Sequence, residues 1–140
     1  MTIGKAGAIL SIDCVQGFLY VSTADGTLRK FGVEGKGLVY DFGRIHEYRI
    51  GSIACGGDWV WTSDVGGNLK KWGVESDKLV EDYGLVARGG VRRMRCCNDF
   101  LVIGDMKGKV KVFGIEENKI IKEWDSGYRE IGDIQLHSSE

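Results

Sequence analysis

The four cysteines are the residues whose spacing first suggests chemistry. Cys14, Cys55 and Cys96 lie 41 residues apart each time, and Cys97 directly follows the last of them. Common zinc and redox motifs place two residues between paired cysteines, and neighbouring residues of a strand point to opposite faces. The pattern favours small, buried thiols at three equivalent positions, so we predict no bound metal and no cofactor. A metal cluster formed by the three repeated thiols is the alternative.

The chain contains little that resembles catalytic machinery. Its two histidines, His46 and His137, do not lie in a local motif with a nucleophile. Asp25, Asp64 and Asp105 lie in turns, where an aspartate normally accepts hydrogen bonds from the local backbone. General acid or base catalysis by these carboxylates is the alternative. We predict that the protein is not an enzyme.

An internal repeat explains the spacing of the cysteines. Three segments match one another at intervals of 41 residues, namely Ser22–Val33, Ser63–Val74 and Gly104–Ile115. Each contains a glycine near its start and an aromatic residue followed by glycine near its end. The aromatic pairs are Phe31-Gly32, Trp72-Gly73 and Phe113-Gly114. A period of about 40 to 45 residues with four short strands per unit is typical of a β-propeller.

Each repeat is predicted to form four antiparallel strands. The second strand is rich in β-branched and aromatic residues, and the fourth is the most polar, as suits the outermost strand of a blade. No window has the 3.6-residue apolar period of a helix. We predict an all-β fold and one partial propeller over residues 1–140. Its blades lie at approximately 8–43, 49–84 and 90–125, and 126–140 forms the first strand of a further blade.

The repeats resemble WD-repeat propellers, in which the third strand ends in Trp-Asp. Trp72-Gly73-Val74 and its two counterparts occupy that place, with glycine instead of aspartate. The family's Gly-His pair is only approximated, by Gly43-Arg44-Ile45-His46. The resemblance therefore implies blades in which the family's Trp-Ser-His-Asp hydrogen-bond network is incomplete. Quinoprotein-type propellers are the second candidate. In both families, loops rather than the blade itself determine function.

The arginines cluster in the connections between repeats. In WD-type blades, the links from fourth to first strands and the second-to-third hairpins form one rim. Arginine suits bidentate recognition of carboxylate or phosphate and is enriched in protein interfaces. Pairing with the blade's own turn aspartates is the alternative. Seven of the eight arginines lie in or next to the links: Arg44, Arg49, Arg88, Arg92, Arg93, Arg95 and Arg129.

One group of arginines differs from its counterparts in the other repeats. Arg92, Arg93 and Arg95 replace residues that are neutral in the other two repeats, with the exception of Asp13. The first strand of a propeller blade lines the central channel, where an unmatched charge is costly. An arginine-lined channel mouth could hold an anion or an acidic peptide.

Two classes of function follow from these arginines. The first is a non-catalytic protein-interaction scaffold that binds a protein or an acidic peptide through the arginine-bearing rim. The second is a module that binds a small anion or a phosphoinositide headgroup through the same side chains.

Three blades do not close a ring, since propellers have about four to eight blades. We expect the ring to be completed by further copies of the chain or by additional polypeptide, so the protein is a homo-oligomer or part of a larger propeller. Otherwise its outer blade faces would expose apolar surface.

Composition restricts the remaining classes. The net charge of −1 at pH 7 gives no overall attraction to nucleic acid or anionic membrane, and no apolar run approaches the roughly 18 residues of a membrane span. The N-terminus lacks the apolar core of a signal peptide. We expect a cytoplasmic protein with no nucleic-acid partner and no integral membrane segment.

Overall fold

A computed structural model describes residues 7–35 and 37–127 of the chain. These residues form strands and turns, with no helix among them and therefore no helix that could cross a membrane. The strands are β1 Ile9–Val15, β2 Phe18–Thr23, β3 Thr27–Gly32, β4 Leu38–Arg44, β5 Ile50–Gly56, β6 Trp59–Asp64, β7 Asn68–Gly73, β8 Leu79–Leu85, β9 Val91–Cys97, β10 Phe100–Asp105, β11 Lys109–Gly114 and β12 Lys119–Asp125.

The strands form three separate antiparallel sheets, each following the order of the chain. Blade 1 comprises β1 to β4, blade 2 comprises β5 to β8, and blade 3 comprises β9 to β12. The fourth strand of each blade is the most exposed, as its polar sequence predicts. The all-β fold with four-stranded blades is confirmed. The strand predicted within 126–140 falls largely on residues 128–140, which lie outside the described residues.

Tight hairpins join the second and third strands of each blade, and glycine is required at one position in them. Gly67 has φ +97° in the β6–β7 turn. A Cβ atom added there would lie 2.0 Å from the carbonyl oxygen of Ala87 in the next link. Only glycine allows the hairpin and the link to approach so closely. The equivalent Gly26 and Gly108 also have positive φ.

The blades pack face to face, with their first strands side by side. β5 contacts β1 on one side and β9 on the other. Between β1 and β5, the backbone N–H of Ile53 donates to Ser11 Oγ at 3.0 Å. Between β5 and β9, the N–H of Met94 donates to Ser52 Oγ, also at 3.0 Å. The three sheets form an open arc, so the expectation of an incomplete ring is confirmed.

Apolar side chains from both neighbouring faces fill the space between blades. Tyr20 and Leu28 of blade 1 pack with Ile50, Val60 and Trp72 of blade 2. On the other side of blade 2, a second cluster joins that blade to blade 3, with Trp61, Leu69, Leu101, Ile103 and Phe113 among its members.

The repeated aromatic residue of the third strand is buried in every blade. Phe31, Trp72 and Phe113 expose 2%, 8% and 2% of their surface. The ring of Trp72 meets Phe42 of blade 1 edge to face, with 5.5 Å between centroids. In blade 3, Phe113 meets Trp61 of blade 2 in a similar way, at 5.3 Å. The predicted equivalence of the three aromatic positions is confirmed.

The expectation of an incomplete hydrogen-bond network is wrong for blade 2. Trp72 Nε1 donates to Thr62 Oγ1 at 2.9 Å, and His46 Nε2 lies 2.8 Å from the same oxygen. The other ring nitrogen, Nδ1, lies 3.0 Å from Asp64 Oδ2. The network forms because threonine supplies the hydroxyl and the link before β5 folds His46 inward. Its polar groups satisfy one another in a buried position.

Asp64 also fixes the turn that follows it. Its Oδ1 accepts hydrogen bonds from the N–H groups of Gly66 at 3.0 Å and Asn68 at 2.9 Å. Burial raises the pKa of Asp64, but the hydrogen bonds from His46 and Asn68 outweigh that effect, and the pKa lies below its ordinary value. The ionised carboxylate is therefore the form that the folded protein favours.

Truncation of the buried indole should destabilise the protein strongly. We expect Trp72→Ala to lower the free energy of unfolding by about 3 to 5 kcal/mol, because it creates a cavity and removes the donor to Thr62. Trp124→Ala is the matched control, since Trp124 is 45% exposed; its cost should be about 1 kcal/mol or less. Urea denaturation measures both, and equal costs would contradict the assigned packing.

The stabilisation that comes from Asp64 should disappear in acid. A carboxylate whose pKa is lowered on folding contributes stability above its unfolded-state pKa, and this contribution is lost as the pH falls through the folded-state pKa. The stability difference between the natural protein and Asp64→Asn should therefore be largest near neutral pH and shrink below about pH 4. Thermal unfolding as a function of pH tests this, with Glu116→Gln as an exposed control. A constant difference would rule out the linkage.

Candidate binding site

The links between blades and the second-to-third hairpins lie on the same edge of the arc, which we call the rim. Backbone hydrogen bonds join them directly. The N–H of Val65 donates to the oxygen of Arg49 at 3.1 Å, and the N–H of Met106 donates to the oxygen of Gly90 at 3.0 Å. The N–H of Val86 similarly donates to Gly67 at 2.9 Å. Side chains from different blades therefore meet on the rim.

A cleft of about 330 Å³ opens on the rim where blade 3 meets the link before it. Four of its side chains are cationic, one is a carboxylate and two are apolar. We call it the basic cleft. Its lining residues are Leu85, Val86, Arg88, Asp105, Lys107, Lys109 and Lys111.

Asp105 gives the basic cleft its shape. The side chain is buried, and Oδ1 accepts hydrogen bonds from the backbone N–H groups of Lys107 at 2.9 Å and Lys109 at 2.8 Å. The carboxylate therefore holds the β10–β11 turn, as predicted for a turn aspartate. The same bonds fix the backbone from which the two lysine side chains project.

The four cations of the basic cleft differ in the contacts that they already make within the protein. Lys111 Nζ donates to the carbonyl of Val86 at 2.7 Å. Lys109 Nζ lies 3.6 Å from a carboxylate oxygen of Glu123, and both side chains are nearly half exposed. Arg88 and Lys107 are exposed and form no ion pair within residues 7–35 and 37–127.

Comparison with blade 2 separates structural cations from the others. Lys70 is the counterpart of Lys111 and likewise donates to a link carbonyl, that of Ile45. This lysine is therefore part of how a blade holds its link. The counterparts of Arg88, Lys107 and Lys109 are instead a glutamate, a glycine and an asparagine: Glu47, Gly66 and Asn68.

Blade 2 forms the same turn without these three cations, so the fold does not require them. Like charges held close together repel one another. Even with Glu123 beside Lys109, the cations of this cleft outnumber its carboxylates, which favours an anion from outside the blade. Sequence reasoning missed Lys107 and Lys109, although alignment of the turn at the 41-residue period distinguishes them from Gly66 and Asn68.

Two of the other rim arginines proposed from the sequence lie outside the basic cleft. Arg44 is exposed, and its Nη2 donates to the carbonyl of Glu47 at 2.7 Å, so it braces the link. Arg49 is exposed on the same link. Arg129 lies outside the described residues.

The second predicted arginine group occupies the inner wall of the arc. Arg93 and Arg95 line an open groove of about 390 Å³ between the first strands, together with Asp13. Arg92 is not part of its lining. All three arginines already make interactions within the protein. The sequence grouped the three together, whereas only Arg93 and Arg95 line the groove.

The repeated cysteines are unpaired thiols, and the expectation that all three are buried is wrong for Cys14, which is exposed at the equivalent place in blade 1, while Cys55 and Cys96 are partly buried. Cys55 and Cys96 line the groove, and all four cysteines are free. Burial raises the pKa of both thiols, which favours their protonated form. In the described part of the chain, no group of three histidine, cysteine or acidic residues is arranged to hold a metal ion.

The predicted roles of the turn aspartates are also visible. Asp25 accepts from the hydroxyl groups of Thr23 and Thr27 and from the backbone N–H of Thr27. Asp64 and Asp105 each accept two backbone N–H bonds. All three carboxylates are engaged in local structure.

No protein-family model and no curated protein matches the chain. Solved structures do. A crystal structure of RRP9 WD40 repeats has a TM-score of 0.82 at 16% identity and covers 91% of this chain and 41% of that one. Saccharomyces cerevisiae Sqt1 has a TM-score of 0.81 at 16% identity, over 96% and 40%. The computationally designed Ika8 protein has a TM-score of 0.80 at 18% identity, over 94% and 41%.

The chain folds as WD40-type propeller blades. At 16% to 18% identity the similarity concerns the fold, and it confirms the WD-repeat-like architecture predicted from the repeats. The chain spans about two fifths of the length of these three structures.

The cations of the basic cleft should differ in their contribution to folding. We expect Lys107→Gly and Lys109→Asn, which introduce the residues of blade 2, to change the free energy of unfolding by about 0.5 kcal/mol or less. Lys111→Met should cost about 1 kcal/mol or more, because the carbonyl of Val86 loses its charged donor. Urea denaturation distinguishes the two groups, and similar losses in all three variants would show that the cations act together in folding.

Proposed function

We propose that this chain is a non-catalytic protein-interaction module that binds an acidic peptide segment of a partner protein at the basic cleft. The observation that carries the proposal is the convergence of Arg88, Lys107 and Lys109 in blade 3. Blade 2 has the same fold with none of these cations. Arg44 and Arg49 lie on the same rim and extend the cationic surface that a longer peptide would meet.

A peptide suits the surroundings of the basic cleft better than a nucleic acid does. Leu85 lines the cleft and is 55% exposed, while Val65 and Met106 are exposed at the tips of the two neighbouring hairpins. An acidic peptide with an apolar residue can contact both kinds of surface. The overall charge of −1 offers no broad attraction to a polyanion.

The absence of catalysis is also part of the proposal. The turn aspartates hold their own turns, and His46 is occupied by Thr62 and Asp64. Four unpaired thiols are compatible with a reducing compartment, and we propose a cytosolic location.

We further propose that more blades cover the outer faces of the arc, supplied by a second copy or by a longer polypeptide. Ile9, Ile12 and Val33 of blade 1 are about half exposed. Their counterparts in blade 2 are buried against blade 1. Those counterparts are Ile50, Ile53 and Val74. Sedimentation should show association of this chain that Ile12→Asp weakens, and a monomer at micromolar concentration would contradict the second-copy arrangement.

A peptide-binding measurement tests the functional proposal. The probe is a fluorescein-labelled nonapeptide with five glutamates and one leucine, followed by fluorescence anisotropy. The variant Arg88→Glu/Lys107→Gly/Lys109→Asn gives blade 3 the cleft residues of blade 2. We expect it to weaken binding by on the order of tenfold or more, and added salt should weaken binding to the natural protein.

A control variant changes the net charge by the same amount elsewhere. Lys78→Glu/Lys119→Asn/Lys122→Gln alters exposed lysines at the outer edges of blades 2 and 3. Binding should persist in this control. Equal losses in the two variants would mean that net charge, and not the basic cleft, attracts the peptide, and absence of binding to the natural protein would reject the proposal.

A further inference from the structure

We propose that the basic cleft recognises a phosphorylated side chain, so that the partner's segment is a phosphopeptide. This inference rests on the proposed function and adds the chemical group that is bound. It depends on the number of cations in the cleft, the way they are held, and the apolar surface beside them.

Charge matching favours a dianion. Four cations and one carboxylate line the basic cleft, and that carboxylate, Asp105, is engaged by the backbone of its own turn. A single glutamate or aspartate of a peptide would carry one negative charge into a cleft whose four cations are matched by only two carboxylates, Asp105 in the lining and Glu123 beside Lys109. A phosphoserine or phosphothreonine carries about −1.5 to −2 at neutral pH and three strong acceptor oxygens.

The kinds of cation present also suit phosphate. Arg88 offers a planar guanidinium, which can donate two parallel hydrogen bonds to a phosphate. Lys107 and Lys109 add compact charges from two positions of one turn. Because Asp105 fixes that turn through the backbone N–H groups of both lysines, the side chains start from a defined position. Less ordering is then needed when the ligand binds.

Lys111 lines the cleft and already donates a hydrogen bond within the protein. Its ammonium donates to Val86 O at 2.7 Å and is half-buried. Its charge contributes to the local potential without its having to leave that carbonyl. A ligand phosphate is therefore expected to contact Arg88, Lys107 and Lys109 directly and to experience Lys111 at longer range.

The apolar neighbours favour a peptide as the carrier of the phosphate. Leu85 forms one side of the cleft, and Met106 is exposed at the tip of the turn that also carries Lys107. A peptide with an apolar residue next to its phosphorylated residue can use both surfaces. A lipid headgroup shares the phosphate chemistry, and it becomes one arm of the test.

The experiment compares three fluorescein-labelled nonapeptides that differ only at the central residue, which is phosphoserine, glutamate or serine. Each has two flanking glutamates and a leucine directly after the central residue. We expect the phosphoserine peptide to bind about tenfold more tightly than the glutamate peptide, with the serine peptide weakest. Inorganic phosphate at millimolar concentration should compete with the phosphopeptide.

Two variants identify the residues that give this preference. Arg88→Lys keeps the charge but removes the bidentate donor, so it should reduce the preference for phosphoserine over glutamate more than it reduces binding of the glutamate peptide. Lys107→Gly/Lys109→Asn should remove most of the preference. Unfolding midpoints confirm that both variants remain folded, and the outer-edge control Lys78→Glu/Lys119→Asn/Lys122→Gln should keep the preference.

The outcomes separate the two levels of inference. If the glutamate and phosphoserine peptides bind equally, the phosphate proposal is wrong while the acidic-peptide function stands. If neither peptide binds, both fail. If phosphatidylcholine vesicles containing phosphatidylinositol phosphate bind through Arg88 and the phosphopeptide does not, the cleft serves a lipid headgroup and the phosphopeptide assignment is overturned.

Discussion

Blade 2 is apolar on both faces, and the structure depends on each of these faces being covered by a neighbouring blade. A small sheet with one solvated face could bury its other face against a single layer, but here both faces carry large side chains. Trp72 packs towards blade 1 and Trp61 towards blade 3, although both belong to blade 2. The repeat of 41 residues is the sequence-level consequence, because each copy must present the same two complementary faces.

The stacking of blades does not by itself determine the path of each link, which runs from the outer fourth strand of one blade to the inner first strand of the next. In blade 2 a buried polar network does so, since His46 is drawn inward by Thr62 and Asp64. Blade 3 has Ala87, Ile103 and Phe113 in the places of His46, Thr62 and Trp72, and all three are buried. Apolar side chains thus replace the polar network of blade 2 in blade 3. Buried polar networks are often exchangeable for apolar packing in this way. What survives in both blades is the aspartate that holds the turn and the lysine that donates to the link carbonyl.

The sequence predicted the features that repeat, because residues that recur in every repeat are those that the packing of every blade requires. The three aromatic positions, the hairpin glycines and the polar outer strands were all identified from their recurrence, and all are found in the structure. The hydrogen-bond network of blade 2 was not predicted. It uses a threonine hydroxyl, and its histidine belongs to a link whose path the sequence does not reveal. The basic cleft was only partly anticipated. The sequence predicts Arg88 on the rim but not Lys107 and Lys109, because their meeting with Arg88 depends on the hairpin lying against the link.

The turn that holds these lysines shows why recognition can change on the rim without loss of the fold. Asp64 and Asp105 accept hydrogen bonds from the backbone N–H groups two and four residues further on, at nearly the same distances. Such bonds fix the path of the chain and place no requirement on the side chains at those two positions, other than that they are not proline. Blade 2 has Gly66 and Asn68 there, whereas blade 3 has Lys107 and Lys109 on the same backbone. The aspartate therefore stabilises the turn whatever side chains the turn carries, and charge can accumulate at these two positions of one blade while the same positions of its neighbour are uncharged.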